Sequence, residues 1–305
     1  MIILRTKTKI ALARAAQRVV MGGRRAVGRG PIAVCRRGRL QWKLDLREGI
    51  DFSIFLLGSF EPDMVSAYRD MIPTGATVID IGANIGAHTL RLAACVGTDG
   101  RVVAVEPTQY AFERLQEHIL LNPQLMPQII LLQAMLMGSQ QAALAEKIES
   151  SWPLDTPSGA HPGHAGVAKV TTGAAVMTLD NIVADLDLRS VDFLKLDVDG
   201  YEVEVLRGAR DTLHRFTPVI FFEHSPYVLV EKGYRPGELV DILIEAGYQF
   251  RNLKGRTLAT GPYRLPNVAT GAGINLMAWP ERAGGDEIRR GLLPRHGGIV
   301  NQTKY

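Results

Sequence analysis

Cysteine is nearly absent from this 305-residue chain: Cys35 and Cys95 stand far apart, with no CxxC spacing and no Cys/His cluster around either. A disulfide framework and a structural zinc site are therefore excluded as the basis of the fold. Long apolar runs are missing too. No stretch approaches the roughly 18 apolar residues that span a bilayer, and the N-terminal region lacks the uninterrupted apolar core of a signal peptide, so a cytoplasmic protein is expected. Acid is absent before Asp45, while Arg and Lys recur from Arg5 to Arg39. Such an arm is expected to be solvated and partly disordered, and it is attracted to anionic lipid or to a polyanionic glycan. Within it, "IALARAAQRVV" suits a short helix with an apolar side, which allows weak peripheral membrane contact.

What is present is an ordinary globular composition. Hydrophobic residues make up 46% and charged residues 22%, and the net charge is only +4, so no nucleic-acid partner is expected. The length fits one large domain or two small ones. Residues 1–41 read as the basic arm and residues 42–75 as a lead-in. In the lead-in, "LQWKLDLREGIDFSIFLLGSFEP" suggests short strands turning at Gly49 and Gly58, and "DMVSAYRDMI" a helix stopped by Pro73 and Gly75.

Residues 76–280 then alternate strand and helix. The strands are "TVIDIG", "RVVAVEP", "QIILLQAML", "VDFLKLDVDG" and "PVIFFEHS", with helices such as "YAFERLQEHILL" and "YEVEVLRGARDTLHRF" between them, and "YQFRNL" and "INLMAWP" close the unit. Strands apolar on both sides, joined through helices, predict a doubly wound, mostly parallel sheet in a single α/β domain. Residues 139–176 read as a surface insertion rich in Gly, Pro and Ser. It contains His161 and His164, whose spacing suits a helical pair but whose Pro and Gly neighbours forbid a stable helix. Residues 281–305 read as a mobile tail.

In such sheets ligands bind beyond the carboxyl ends of the strands. Those ends carry Asp80 with Gly82, then Glu106, Ala134 to Leu136, Asp197 with Asp199, and Glu223 with His224. Carboxylates this dense repel a pyrophosphate and suit a cation. The first turn, Gly82-Ala83-Asn84-Ile85-Gly86, puts Asn84 where a dinucleotide fingerprint needs its middle glycine. S-adenosylmethionine fits better: Asp80 would face its ammonium, amides at the helix start its carboxylate, and Glu106 its ribose hydroxyls. Glu61, in "GSFEP", either closes over the amino-acid end of the cofactor or serves as an acid at a helix start. His88 is expected to pack beneath the turn. Two alternatives stay open: a nicotinamide-dependent dehydrogenase, disfavoured by Asn84, and a non-catalytic module binding a glycan or a membrane surface.

"VIDIGANIGAHTL", "RVVAVEPTQYAFERLQEHILLN", "VMTLDNI", "VDFLKLDVDGYEVEVLRGARDTL" and "PVIFFEH" together resemble the FkbM family of S-adenosylmethionine-dependent methyltransferases, and "WKLDLREGID" with "GSFEP" resembles its lead-in. The resemblance runs from Trp42 to Phe250. It implies a class I methyltransferase fold with a seven-stranded sheet, S-adenosylmethionine as donor, and O-methylation of a small-molecule or glycan hydroxyl. Position by position, it assigns Asp80, Gly82, Asn84 and Gly86 to the cofactor loop, Glu106 to the ribose, and Asp197, Gly200 and Glu202 to the fourth-strand motif. Asp199 stands where the family more often has Glu. The third-strand end lacks the family's usual acid, which leaves the adenine to apolar and backbone contacts around Met135.

For proton removal from the acceptor, Asp197 ranks first, followed by Glu223, His224 and Asp199, with the His224 imidazole suited to proton transfer near neutrality. Asp197, Asp199 and Glu223 could offer oxygen ligands to Mg²⁺, but no motif spacing requires a metal, and none is expected. Glu202 is expected in the first turn of the helix that follows, where its charge favours the dipole.

Overall fold

The computed structural model describes residues 6–155, 166–258, 265–266, 268 and 272–281. His161, His164 and all but the first residue of the expected tail lie outside the described residues.

The N-terminal region is more ordered than its composition suggests. It forms a helix, α1 (Thr6–Ala26), an antiparallel hairpin of β1 (Ile32–Arg37) and β2 (Leu40–Asp45), and two helices, α2 (Gly49–Leu57) and α3 (Pro62–Arg69). The arm expected to be partly disordered carries a helix longer than the short one expected at "IALARAAQRVV", because Gln17 and Met21 bury against the domain while Ala13, Ala16 and Val20 pack on its core. The short strands expected around Gly49 are helix α2 instead. "GIDFSIFLL" is apolar almost all round, so periodicity carries little signal there, and Gly58 ends the helix in the left-handed conformation at φ 83°.

The sheet is built from β3 (Thr77–Ile81), α4 (Thr89–Val96), β4 (Arg101–Val105), α5 (Gln109–Leu120) and β5 (Ile129–Leu132). The expected single strand through Gln133 breaks there: β6 (Ala134–Leu136) leaves the main sheet. The insertion contributes an antiparallel ribbon, β7 (Lys147–Ser151) with β8 (Val167–Val170), and then β9 (Ala175–Met177), which pairs with β6. The chain continues through α6 (Leu179–Asp185), β10 (Phe193–Leu196), α7 (Glu202–Arg207), α8 (Arg210–Phe216), β11 (Val219–His224), α9 (Pro226–Glu231), α10 (Glu238–Glu245), β12 (Tyr248–Asn252) and β13 (Ile274–Pro280). The expected helix over "YEVEVLRGARDTLHRF" is two helices, separated at Gly208, whose backbone lies so near Met137 that a Cβ would come 2.3 Å from its carbonyl oxygen.

The seven-stranded sheet has the order β12-β13-β11-β10-β3-β4-β5, and only β13 runs antiparallel to its neighbours. The expected doubly wound fold is present. Strand order reverses between β3 and β10, so the crevice lies beyond Ile81 and Leu196. One face of the sheet packs Trp42, Tyr68, Phe193 and Phe221 beneath the N-terminal helices. The other packs Ile79, Leu196, Phe222 and Phe250 against the later helices.

The lead-in is fastened to the sheet by polar contacts as well. Asp51, 1% exposed, accepts from both guanidinium ends of Arg114 on α5 at 2.5 and 3.1 Å and from the Asp45 amide at 2.7 Å. His118 on the same helix sits between the Ile85 and Lys43 carbonyl oxygens. Removing one partner of a buried pair strands the other's charge, at a cost of about 3–5 kcal/mol. Asp51→Ala is accordingly expected to lose about that much stability in urea denaturation, while Asp51→Leu combined with Arg114→Met should recover much of it.

Candidate functional site

A cavity of about 370 Å³ opens at the carboxyl ends of β3 and β10, within the roughly 300–1,000 Å³ typical of small-molecule sites. Glu61, Gly82, Asn84, Glu106, Met135, Asp197, Asp199 and Glu223 all line it. Its roof comes from the N-terminal arm, the lead-in and the insertion: Ala13 of α1, Ile50 of α2, Glu149 and Ser150 of β7, and Trp152 to Leu154.

The turn after β3 is shaped by contact with the neighbouring strand end. Gly82 has φ 77°, and a Cβ there would lie 1.9 Å from the Asp197 carbonyl oxygen, so only glycine fits. Asn84 also adopts positive φ. The turn spends its amides internally: Gly82 and Ala83 donate to the Val105 carbonyl, Asn84 to a Glu106 carboxylate oxygen at 2.9 Å, Ile85 to the Asn84 side chain and Gly86 to Ala83. An anion expected on these amides would find them occupied. The residues offered to the cavity at the start of the following helix are Ala87 and His88.

Glu106 accepts from Asn84 and from the amide and hydroxyl of Thr108. A carboxylate has about four acceptor positions, so one remains for a ligand hydroxyl. Burial raises its pKa, and the Thr108 and Asn84 hydrogen bonds oppose that rise.

Three expected site residues stand away from the cavity. Asp80 is fully buried: Thr89 donates to it at 2.6 Å, and Lys195 lies 3.5 Å away. It stabilises the turn from below and does not face a ligand ammonium. Gly86 packs against Leu115. His224 is buried on the face of β11 opposite Glu223, and burial lowers its ring to about 4. A neutral ring outside the cavity touches no reacting atom, which corrects its place among the candidate bases.

Lys195 is the residue that sequence reasoning missed. It is 3% exposed, donates to the Gly82 carbonyl oxygen at 2.9 Å, and lies 3.5 Å from Asp80 and 3.4 Å from Asp197. Burial alone would lower its pKa, but Asp197, Asp80 and Glu61 outweigh burial and raise it above the ordinary lysine value. The available signal was one lysine inside "FLKL", whose other residues are all buried apolar side chains. Glu61 is the second anchor. It adopts φ 44° and accepts from Asn275 at 2.7 Å; His88 Nε2 lies 3.3 Å from it, and these partners hold its carboxyl below the usual range against the opposing effect of burial. His88 is buried beneath the turn, beside Tyr68 and Phe60.

Beyond Lys195 the cavity wall is acidic. Burial, with Asp197 and Glu202 nearby, pushes Glu223 up to about 8. Glu202, which does not line the cavity, is likewise raised by burial to about 7, although it closes the preceding turn by accepting from the Val198 and Gly200 amides. Asp199, at φ 49°, is pushed well above the ordinary aspartate range by burial and by Asp197 and Glu223. Glu223 sits against the bare backbone of Gly273, where a Cβ would come within 1.8 Å of its carboxylate. Among the described residues, no group of three or more His, Cys, Asp or Glu side chains is placed to hold a metal ion.

These shifts carry a sign. Glu202 and Glu223 keep protons in the folded protein at pH values where the unfolded chain, titrating near 4.3, has lost them, so both reduce stability as pH rises from about 4.5 towards about 8. Glu223→Gln is expected to flatten that decline and to raise the ligand-free Tm near pH 8, by about 2–4 °C for each kcal/mol recovered. Melting curves across that range check it, and an unchanged slope would contradict the assignment. Lys195→Met should cost about 3–5 kcal/mol in urea denaturation, because it strands two carboxylates.

Residues 80–250, more than half of the chain, match the family profile of the methyltransferase FkbM domain. A hexuronic acid methyltransferase, AglP, from Haloferax volcanii is 26% identical over 187 residues, covering 61% of this chain and 69% of that protein. Among solved structures, an FkbM methyltransferase from Methylobacillus flagellatus KT is 16% identical with a TM-score of 0.41; the match covers 68% of this chain but less than half, 44%, of that one. An S-adenosylmethionine-dependent O-methyltransferase from Thermotoga maritima is 15% identical, with a TM-score of 0.41 and coverage of 86% and 82%. The chain belongs to the FkbM methyltransferase family.

Proposed function

We propose that this protein O-methylates a hydroxyl group of a sugar, in a glycan or a natural product, using S-adenosylmethionine. The observation that carries this reading is the cavity at the reversal of strand order, walled by Glu61, Glu106, Asp197, Asp199 and Glu223 around the buried ammonium of Lys195. When bound, S-adenosylmethionine supplies an electrophilic methyl group on a positively charged sulfur. The residues fit it: a carboxylate wall suits a cation, the bare Gly82 admits close approach, and Glu106 retains an acceptor position for a ribose hydroxyl.

Glu106 would hold the ribose, and Glu61, oriented by Asn275 and His88, the ammonium that sequence reasoning had given to Asp80. Met135 would contact the adenine, with Ala87 and His88 near the carboxylate. Asp197, fixed beside Lys195, orients the acceptor hydroxyl. Glu223, ionised when the cationic donor occupies the cavity, takes up its proton: burial places the ligand-free carboxyl at about 8, a bound positive charge favours its ionised form, and a base near the working pH contributes about 10²–10⁴ in rate. Trp152 and Leu154 add apolar surface to the cavity beside these polar groups. A sugar suits this wall because carboxylates accept hydrogen bonds from several hydroxyls at once, and the Haloferax relative is named for a sugar acid.

Calorimetry with S-adenosylhomocysteine tests the cofactor assignments: Glu106→Ala and Glu61→Ala should each weaken binding by about tenfold, the loss of a charge-assisted hydrogen bond. Asp197→Ala and Glu223→Gln should retain binding while methyl transfer to a panel of glycosides falls by about 10² or more. Unchanged affinity in both of the first variants would overturn the ribose and ammonium assignments.

A further inference from the structure

We propose that α1 is a membrane-docking helix, whose outward face seats the protein on an anionic lipid surface at the end of the molecule that bears the cavity. The inner face of α1 is already satisfied. Gln17 and Met21 are buried, Arg14 donates to the Leu154 carbonyl at 2.7 Å, and Arg24 closes the end by donating to the Gly30 and Ile32 carbonyls. Folding therefore makes no demand on the outer face. That face nevertheless presents Leu12 at 59% and Val19 at 76% exposure, seven residues apart and so two helical turns along one edge. Arg18 and Arg25, also exposed and seven apart, run along the other edge. Apolar and basic residues combined on one outer face have the chemistry of a helix lying in the headgroup layer. A nucleic-acid contact would have no use for Leu12 and Val19.

Charge separation along the chain favours the same partner. The first 44 residues hold twelve of the 35 basic residues and none of the 31 acids, which leaves the remainder with eight more acids than bases. An anionic surface attracts one pole of such a molecule and repels the rest, so it orients the protein as well as binding it. Ala13, on the opposite side of the same helix, lines the cavity, so docking through α1 would hold the cavity close to the lipid surface.

Sedimentation of the full chain with vesicles tests this. Vesicles containing about 30 mol% phosphatidylserine are expected to bind the protein at least about tenfold more tightly than pure phosphatidylcholine vesicles, with binding weakening as salt rises. R18E/R25E should reduce that binding more than about tenfold and L12N/V19N severalfold, while both variants keep the parental affinity for S-adenosylhomocysteine, which shows that they fold. Equal binding to neutral vesicles, or full binding by R18E/R25E, would overturn the proposal. Unaltered binding by L12N/V19N would overturn the seating of these side chains in the headgroup layer. Concentration-dependent dimerisation lost in L12N/V19N, without vesicle binding, would assign the face to a second copy of the chain instead.

Discussion

The structure turns on one buried ammonium group. A lysine removed from water is costly unless charges and acceptors repay it, and here the repayment comes from three places that must then stay together. Parallel pairing puts Lys195 level with Asp80 on β3, the Gly82 carbonyl accepts from it, and Asp197 flanks it at the end of its own strand. The glycine turn and the β10 strand end are thereby locked to one another, close enough that the Asp197 carbonyl occupies the space of a Gly82 side chain. The cavity is the gap this lock leaves open. Asp80 is consumed in making it, and for that reason the ligand-facing charge shifts outward to Glu61, Glu106 and Asp197.

One lysine does not balance the acids around it. Asp199, Glu202 and Glu223 are all pushed upward, first by burial and then by the charge of Asp197, so the ligand-free site lowers its charge by holding protons. A ligand carrying positive charge relieves the same strain by another route, favouring the ionised carboxylates and releasing their protons. A pyrophosphate would enlarge the imbalance. The fit of the proposed sulfonium nucleoside over a dinucleotide therefore rests on the whole wall, and Asn84 in place of a glycine is only its most visible sign.

How much was legible in the sequence follows from which interactions are local. The strands at the centre of the sheet are apolar on both faces, and short runs such as "TVIDI" and "RVVAV" declare themselves. The terminal carboxylates follow directly from them. Lys195 was invisible because its partners are set by register between strands far apart in the chain, and nothing in "FLKL" states what lies beside it. His224 misled for the related reason that a strand alternates its faces: Glu223 and His224 are adjacent in sequence, but only Glu223 meets the cavity. In α2, apolar residues all round erase the period that separates helix from strand. In the insertion, Gly and Pro hid the ribbon whose Glu149 and Ser150 complete the wall.

The lead-in is bound up with the site in the same way. Arg114 and His118 lie on the helix that begins just after Glu106, and they reach to Asp51 and Lys43 of the lead-in and to Ile85 of the turn after β3. Ser150 joins the insertion to that turn through Asn84 and to Thr108, which donates to Glu106. Glu48, just before α2, accepts from the Ser151 hydroxyl and the Trp152 amide and so fixes the roof. The lead-in, the turn and the insertion are thus held by overlapping sets of buried polar contacts, and losing one such contact leaves unpaired groups in more than one of them. The roof is thus coupled through these contacts to the turn after β3, and an exchange of roof residues between relatives would have to preserve Glu48, Ser150 and Asn84 to keep the turn in place.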